Sequence, residues 1–298
     1  MHPLVSPDMQ WSLTRDGSFV VCGQTVHRLK AGAYLIYCDN CGEPHFKAQP
    51  LNTDDLIEFP ESVSGRVLAE VERFWSMGER FARLGFAHRR GYLFYGKQGC
   101  GKSTLIHQIV GRIVGDGHIA FFCAHPWWFR VGLGRFREVE PERPVVCVFE
   151  DIDATIKLYG DSGLLQLLDG NSQINKVVNL ASTNYPERLD RRIVARPRRF
   201  DRLLKIESPD AGLREAFFAR KLPDLTRADL ARWVELSDGL PFAALTELVI
   251  SVECLDHELE AAAQSLRELD RSTPASDQFG GADASAAQQE ENHEMSCN

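Results

Sequence analysis

No stretch of this 298-residue chain is apolar for long enough to cross a bilayer, which argues against membrane insertion through a helix. Its first residues, Met1-His2-Pro3-Leu4-Val5-Ser6, lack the basic start and apolar core of an export signal, so a cytoplasmic protein is expected. Positive charge is also short: 34 Lys and Arg stand against 42 Asp and Glu, a formal net charge of −8. That balance disfavours broad capture of nucleic acid and leaves it as a partner only through a local basic patch. No internal repeat is present. Of eight cysteines, four sit in apolar runs (Cys22, Cys123, Cys147, Cys254), where reduced thiols pack as small hydrophobes. What remains, 44% hydrophobic and 26% charged, is the composition of a globular protein of one large or two ordinary domains.

A metal centre is also under-supplied. Cys38-Asp39-Asn40-Cys41 is the one C-x-x-C in view, and with His45 it gives three of the four ligands a structural zinc needs. The fourth would have to be Cys22 or His27. Two readings stand: zinc on Cys38, Cys41 and His45, or a plain turn between strands.

The chain is organised around Gly96-Lys97-Gln98-Gly99-Cys100-Gly101-Lys102-Ser103, which fits the phosphate-loop pattern G-x-x-x-x-G-K-[ST] at every fixed position. The apolar run Tyr92–Tyr95 before it reads as a buried strand. The segment after it, from Ser103 and Thr104 through Val110, has apolar residues at helical spacing. Glycine turns let successive N–H groups face a phosphate chain, and the following helix adds the positive end of its dipole. Lys102 is then expected on the β- and γ-phosphates of ATP and Ser103 on Mg²⁺.

Ahead of the loop, residues 1–59 hold short β-rich runs at 18–22, 25–29 and 33–37, expected as a separate small β-module. Val67, Val71, Phe74, Phe81 and Leu84 then keep a helical spacing. Phe86 and His88, beyond this helix, are read either as a lining for the nucleotide base or as ordinary packing. After the loop, strands are expected at 119–122, 145–149, 176–181 and 203–206. With 92–95 they make a five-stranded, doubly wound parallel sheet, an α/β fold whose ligands bind at the carboxyl ends of the strands.

The strand at 145–149 runs into Glu150-Asp151-Ile152-Asp153, so paired carboxylates stand where a metal and an attacking water belong. The strand at 176–181 ends in Ser182-Thr183-Asn184, placing an amide near the γ-phosphate or that water. Arg196 and Arg199 follow in Ala195-Arg196-Pro197-Arg198-Arg199-Phe200-Asp201. They read either as solvated charge or as arginine fingers reaching a neighbouring subunit's γ-phosphate. His125-Pro126-Trp127-Trp128 allows a polypeptide grip or a helix packed on the sheet, with packing favoured.

The block from Arg90 to Arg202 resembles AAA ATPases. Ser162–Gly170, the Glu-Asp order and Arg-Pro-x-Arg-Phe-Asp bring it near the AAA subfamily that includes the mitochondrial Rieske-protein translocase. The resemblance implies Mg-ATP hydrolysis, a homo-oligomeric ring of six or seven subunits, and work on a macromolecular client, most simply a protein. It aligns Glu150 with the metal and Asp151 with the water. Two departures stand out: the translocase's membrane segment has no counterpart, and Arg198 replaces a Gly. Asp151 has one methylene less reach than Glu, which keeps open a weakly hydrolysing assembly switch; a DNA-associated loader or motor is a further alternative. The domain plan is a β-rich module over 1–59, an ATPase core over 60–207, an α-helical lid over 208–271 and a disordered acidic tail over 272–298.

Overall fold

The computed structural model describes residues 10–13, 19–23, 25–39, 41–51, 63–169, 175–194 and 199–272. Two compact units divide them: residues 1–96 with 102–206, and residues 97–101 with 207–298.

In the first unit β1 (Gln10–Leu13) and β2 (Phe19–Cys22) pair antiparallel as a two-stranded sheet. Then come β3 (Gly32–Cys38), β4 (Pro44–Ala48), α1 (Val63–Ser76), α2 (Gly78–Arg83), β5 (Arg89–Tyr95) and α3 (Lys102–Gly115). They are followed by β6 (Ile119–Phe122), α4 (Pro126–Val139), β7 (Val145–Phe149), α5 (Ile152–Tyr159) and α6 (Asp161–Asp169). The unit closes with β8 (Val177–Thr183), a 3-10 turn (Pro186–Arg188), α7 (Arg191–Val194) and β9 (Arg202–Lys205).

The main sheet has the order β4-β3-β6-β7-β8-β5-β9, and every pairing but β3–β4 is parallel. β6 and β7 are buried along their whole length, as strands covered on both faces must be. Side chains alternate between two cores. Tyr92, Phe94, Val146 and Val148 meet Val71 and Phe74 of α1 and Ile106 and Ile109 of α3 on one face. Leu93, Phe121, Cys147 and Phe149 meet Phe129 and Leu133 of α4, Ile152 of α5 and Leu164 of α6 on the other. The result is a helix–sheet–helix sandwich.

The five expected strands are all present, but the sheet has seven. The additions come from the stretch expected to stand apart: β3 pairs with β6 from Gly32↔Ile119 to Leu35↔Phe122, and β4 returns beside it. Ile36 is fully buried in the α4-side core, so this edge is part of the main sheet. The strand expected over 25–29 does not form. There Leu29 N donates to Glu140 Oε1 at 2.9 Å and Leu29 O accepts from Arg143 Nη1 at 2.7 Å, so side chains take the bonds a ladder would use.

The second unit contains α8 (Ala211–Lys221), α9 (Arg227–Leu236), α10 (Phe242–Glu253) and α11 (Leu259–Ser272). Asp210 and Thr226 cap α8 and α9 through their side chains. Phe218 packs edge-on to Trp233 at 5.1 Å. α10 and α11 are separate helices, because the chain turns after Cys254 and Asp256 takes a left-handed φ of 55°. Apart from Ser272, the expected tail lies outside the described residues. Among the described residues no helix is long and apolar enough to cross a membrane.

Candidate functional site

The phosphate-loop residues fall in both units. In the first, β5 ends at Tyr95, and a Cβ on Gly96 would lie 2.1 Å from the Ile206 carbonyl, so no other residue fits. Lys102 opens α3, is only 7% exposed, and donates from Nζ to the Gly96 carbonyl at 2.8 Å. Ser103 and Thr104 are exposed in the first turn of α3, which holds no acidic residue. The positive helix end is thus left to an outside anion. In the second unit, Gly99 adopts φ 77° and its carbonyl accepts from Ala243 N at 3.2 Å. Cys100 is buried with Sγ 3.7 Å from Ser208 Oγ, while Lys97 and Gln98 are exposed.

The carboxylates follow β7. The strand stops because Asp151 turns left-handed, at φ 44° and ψ 54°, and α5 begins at the next residue. Such a conformation in a non-glycine residue costs about 1–3 kcal/mol and concentrates at functional sites. Burial works to raise the Glu150 carboxyl, but contacts from His107 and Ser103 outweigh it and hold it below the usual range. His107 Nε2 stands 3.7 Å from Glu150 Oε2, longer than a hydrogen bond. Ser103 and His107 are four residues apart on one face of α3, a spacing visible in the sequence, yet His107 was not among the expected site residues. Asp151 shifts the other way: burial and the charges of Asp153 and Glu150 raise it, against Lys102 and Asn184. Asn184, just past β8, donates from Nδ2 to Asp151 Oδ1 at 3.2 Å. Lys102, Ser103, Glu150, Asp151 and Asn184 are therefore gathered in one place in the first unit.

The other expected residues fare differently. Arg196 lies outside the described residues. Arg199 does not project outward: it is 3% exposed and donates from Nη1 to the Arg192 carbonyl. The cause is the anchoring of its neighbours. Phe200 is buried, and Asp201 exchanges bonds with Gly91 of β5, accepting at 2.9 Å and donating at 2.8 Å. Among the described residues no three His, Cys, Asp or Glu gather as metal ligands, Cys38, Cys41 and His45 included. Asp39 organises that turn instead, accepting from Cys41 N and Glu43 N at 2.9 Å each and lying 3.2 Å from His45 Nε2. His88 belongs to packing. It lies between Phe74 and Phe81 and donates from Nε2 to the Phe74 carbonyl at 2.7 Å. Pro126-Trp127-Trp128 opens α4; Trp128 stacks on His125 at 4.8 Å, while Trp127 is exposed.

Oxygen donors fit a hard divalent cation: the Ser103 hydroxyl and the Glu150 carboxylate are drawn together, with a cationic Lys102 beside them. A parallel sheet, a lysine-bearing helix start and a carboxylate pair at a strand's carboxyl end define a P-loop nucleoside-triphosphatase domain. Its kind is given by comparison. The family model for "ATPase family associated with various cellular activities (AAA)" matches residues 92–208, so this segment is similar to AAA domains. The chain is 31% identical over 208 residues to the ATP-dependent zinc metalloprotease FtsH 1 of Sorangium cellulosum, a match covering 61% of this chain and 33% of that protein. It is 30% identical over 207 residues to the ATPase family gene 2 protein of Schizosaccharomyces pombe, covering 63% and 25% respectively. The human ATPase family gene 2 protein homolog A is 30% identical over 200 residues, covering 60% and 22%. The matched part is about a fifth to a third of the length of these relatives.

Proposed function

We propose that this protein hydrolyses Mg-ATP and uses the cycle to remodel a protein or a protein–nucleic-acid complex. The observation that carries the reading is the convergence of Lys102, Ser103, Glu150, Asp151 and Asn184 from three separate elements. Lys102 neutralises phosphate charge. Ser103 and Glu150 hold Mg²⁺, which when bound offsets charge on the phosphate oxygens. Asp151, its carboxyl raised by burial and by the charges of Asp153 and Glu150, orients the attacking water, with Asn184 fixing the carboxylate oxygen.

The chain acts in a homo-oligomeric ring of six or seven subunits, where Arg196 completes a neighbour's site. Arg199, turned inward, is tied to α7 through the Arg192 carbonyl. The Glu150-Asp151 order and Arg196-Pro197-Arg198-Arg199-Phe200-Asp201 support a closer kinship with the AAA subfamily of the Rieske-protein translocase. Steady-state ATPase assays test the proposal: Lys102→Ala and Asp151→Asn should each abolish turnover. Mixing inactive Lys102→Ala with inactive Arg196→Ala subunits should restore part of it. Wild-type turnover at the level of the variants, with nucleotide-dependent assembly retained, would favour a switch that hydrolyses little. Turnover rising only on addition of DNA would favour a loader or motor.

A further inference from the structure

Three consecutive residues at the end of β8 each hold a different point of the carboxylate turn. Ser182 Oγ accepts from Asp151 N at 3.1 Å, Thr183 Oγ1 donates to Asp153 Oδ1 at 2.6 Å, and Asn184 Nδ2 donates to Asp151 Oδ1 at 3.2 Å. The Thr183 hydroxyl also accepts from Tyr185 N at 3.0 Å. Asn184 is therefore bracketed, because the residue before it and the residue after it are tied to one hydroxyl. Asp153 holds that hydroxyl.

The bracket is built of stiff parts. Ser182 and Thr183 are 1% and 0% exposed, and Ile152, next to Asp153, is fully buried. A threonine has few χ1 options, and a short hydrogen bond to a carboxylate is among the stronger kinds. Asp153 sits in the first turn of α5, so its carboxylate rides on a helix. The Asn184 side chain is less buried than its anchors, and its amide meets Asp151 Oδ1 at 3.2 Å. Without the bracket, nothing else in this group of bonds fixes the backbone that carries it.

We propose that Asp153 is a positioning residue which, through Thr183 and Tyr185, fixes the backbone around Asn184 and so holds its amide against Asp151. The inference rests on the hydrolytic reading of Asp151 and Asn184. A brace that served only folding would lower stability whatever stood at position 184. A positioning residue matters only while Asn184 is present.

The test measures kcat, KM and the dissociation constant of a fluorescent ATP analogue on the full chain, with Tm as the control for folding. Asp153→Ala and Thr183→Val should lower kcat by about tenfold to a hundredfold, the scale of a misplaced reacting group. Nucleotide affinity should stay unchanged within about twofold, the limit of independent sites. Asp153→Asn, whose amide oxygen still accepts from Thr183, should recover most of the loss. In an Asn184→Ala background neither Asp153→Ala nor Thr183→Val should cost anything further. Should Asp153→Ala fail to fold, the near-isosteric Thr183→Val decides. Wild-type kcat in both variants, or the same loss with and without Asn184, overturns the proposal. If the wild type shows no turnover, the hydrolytic reading falls instead. Hydrogen exchange of Tyr185 N–H then decides this one: faster exchange in Asp153→Ala supports it, and unchanged exchange overturns it.

Discussion

Replacing Glu140 tests whether β3 and β4 are integral to the main sheet. Its residue is 4% exposed, and its carboxylate accepts from Leu29 N at 2.9 Å and from Arg143 Nη1 at 2.9 Å. Arg28 adds an ion pair at 3.4 Å, but its side chain is 74% exposed and is discounted. Glu140→Ala leaves the Arg143 guanidinium, 11% exposed, with only the Leu29 carbonyl among these partners. Removing one partner of a buried pair costs about 3–5 kcal/mol, and an unsatisfied buried N–H adds about 1–3 kcal/mol where the two losses do not overlap. A net loss of about 4 kcal/mol, divided by a urea m-value of about 2 kcal/mol/M, lowers the unfolding midpoint by about 2 M. Glu140→Gln keeps an acceptor for Leu29 N and should lose less. The assay is equilibrium urea denaturation followed by tryptophan fluorescence, with ATPase activity read in parallel. A midpoint shift under about 0.5 M for Glu140→Ala, well below the 3 kcal/mol minimum for a broken buried pair, would show that the latch does not join β3 to the sheet.

Three further outcomes follow from single positions. Gly96→Ala should abolish nucleotide binding in a fluorescence titration, since its Cβ would sit 2.1 Å from the Ile206 carbonyl; wild-type affinity would show that the loop start moves freely. Burial raises the Cys123 thiol and pushes Cys147 to about 12, so iodoacetamide at pH 8 should label exposed Cys41 and Cys254 and spare those two by peptide mass spectrometry. Labelling of Cys147 as fast as Cys254 would contradict the buried placement. Burial lowers the His118 imidazole, with Asp116 opposing and Arg143 adding, so the unfolded chain takes up this proton first, near pH 6.5. Stability should therefore fall as pH drops through about 6.5, and less so in His118→Gln; an identical fall in both would refute the assignment.

The parts of the fold written in local pattern were legible from the residues. Ile119–Phe122 and Val145–Phe149 are apolar throughout because both faces of those strands are covered, and their bounds in the structure are those expected. The edge of the sheet was not legible. β3 pairs with β6 across more than 80 residues, and nothing in Gly32–Cys38 says whether its partner is a neighbouring hairpin or a distant parallel strand. His88 was open for a different reason: its packing partners Phe74 and Phe81 come from two helices whose facing directions the spacing alone does not give. Within the candidate site, Lys102 and Ser103 were read from the glycine-loop motif and Glu150 and Asp151 from the end of an apolar strand, and the structure brings the four together. The roles of His107 and Asp153 depend on side-chain directions that spacing alone leaves open. Arg199 shows the opposite failure: its motif suggested reach, while the burial of Phe200 and the pairing of Asp201 turn it inward.

The most direct test separates binding from chemistry at Asp151. In a single-turnover experiment with γ-labelled ATP, Asp151→Asn should bind ATP with wild-type affinity and release no phosphate, while the wild type releases one per site. Release at the wild-type rate from Asp151→Asn would remove the carboxylate from the reaction and contradict the account.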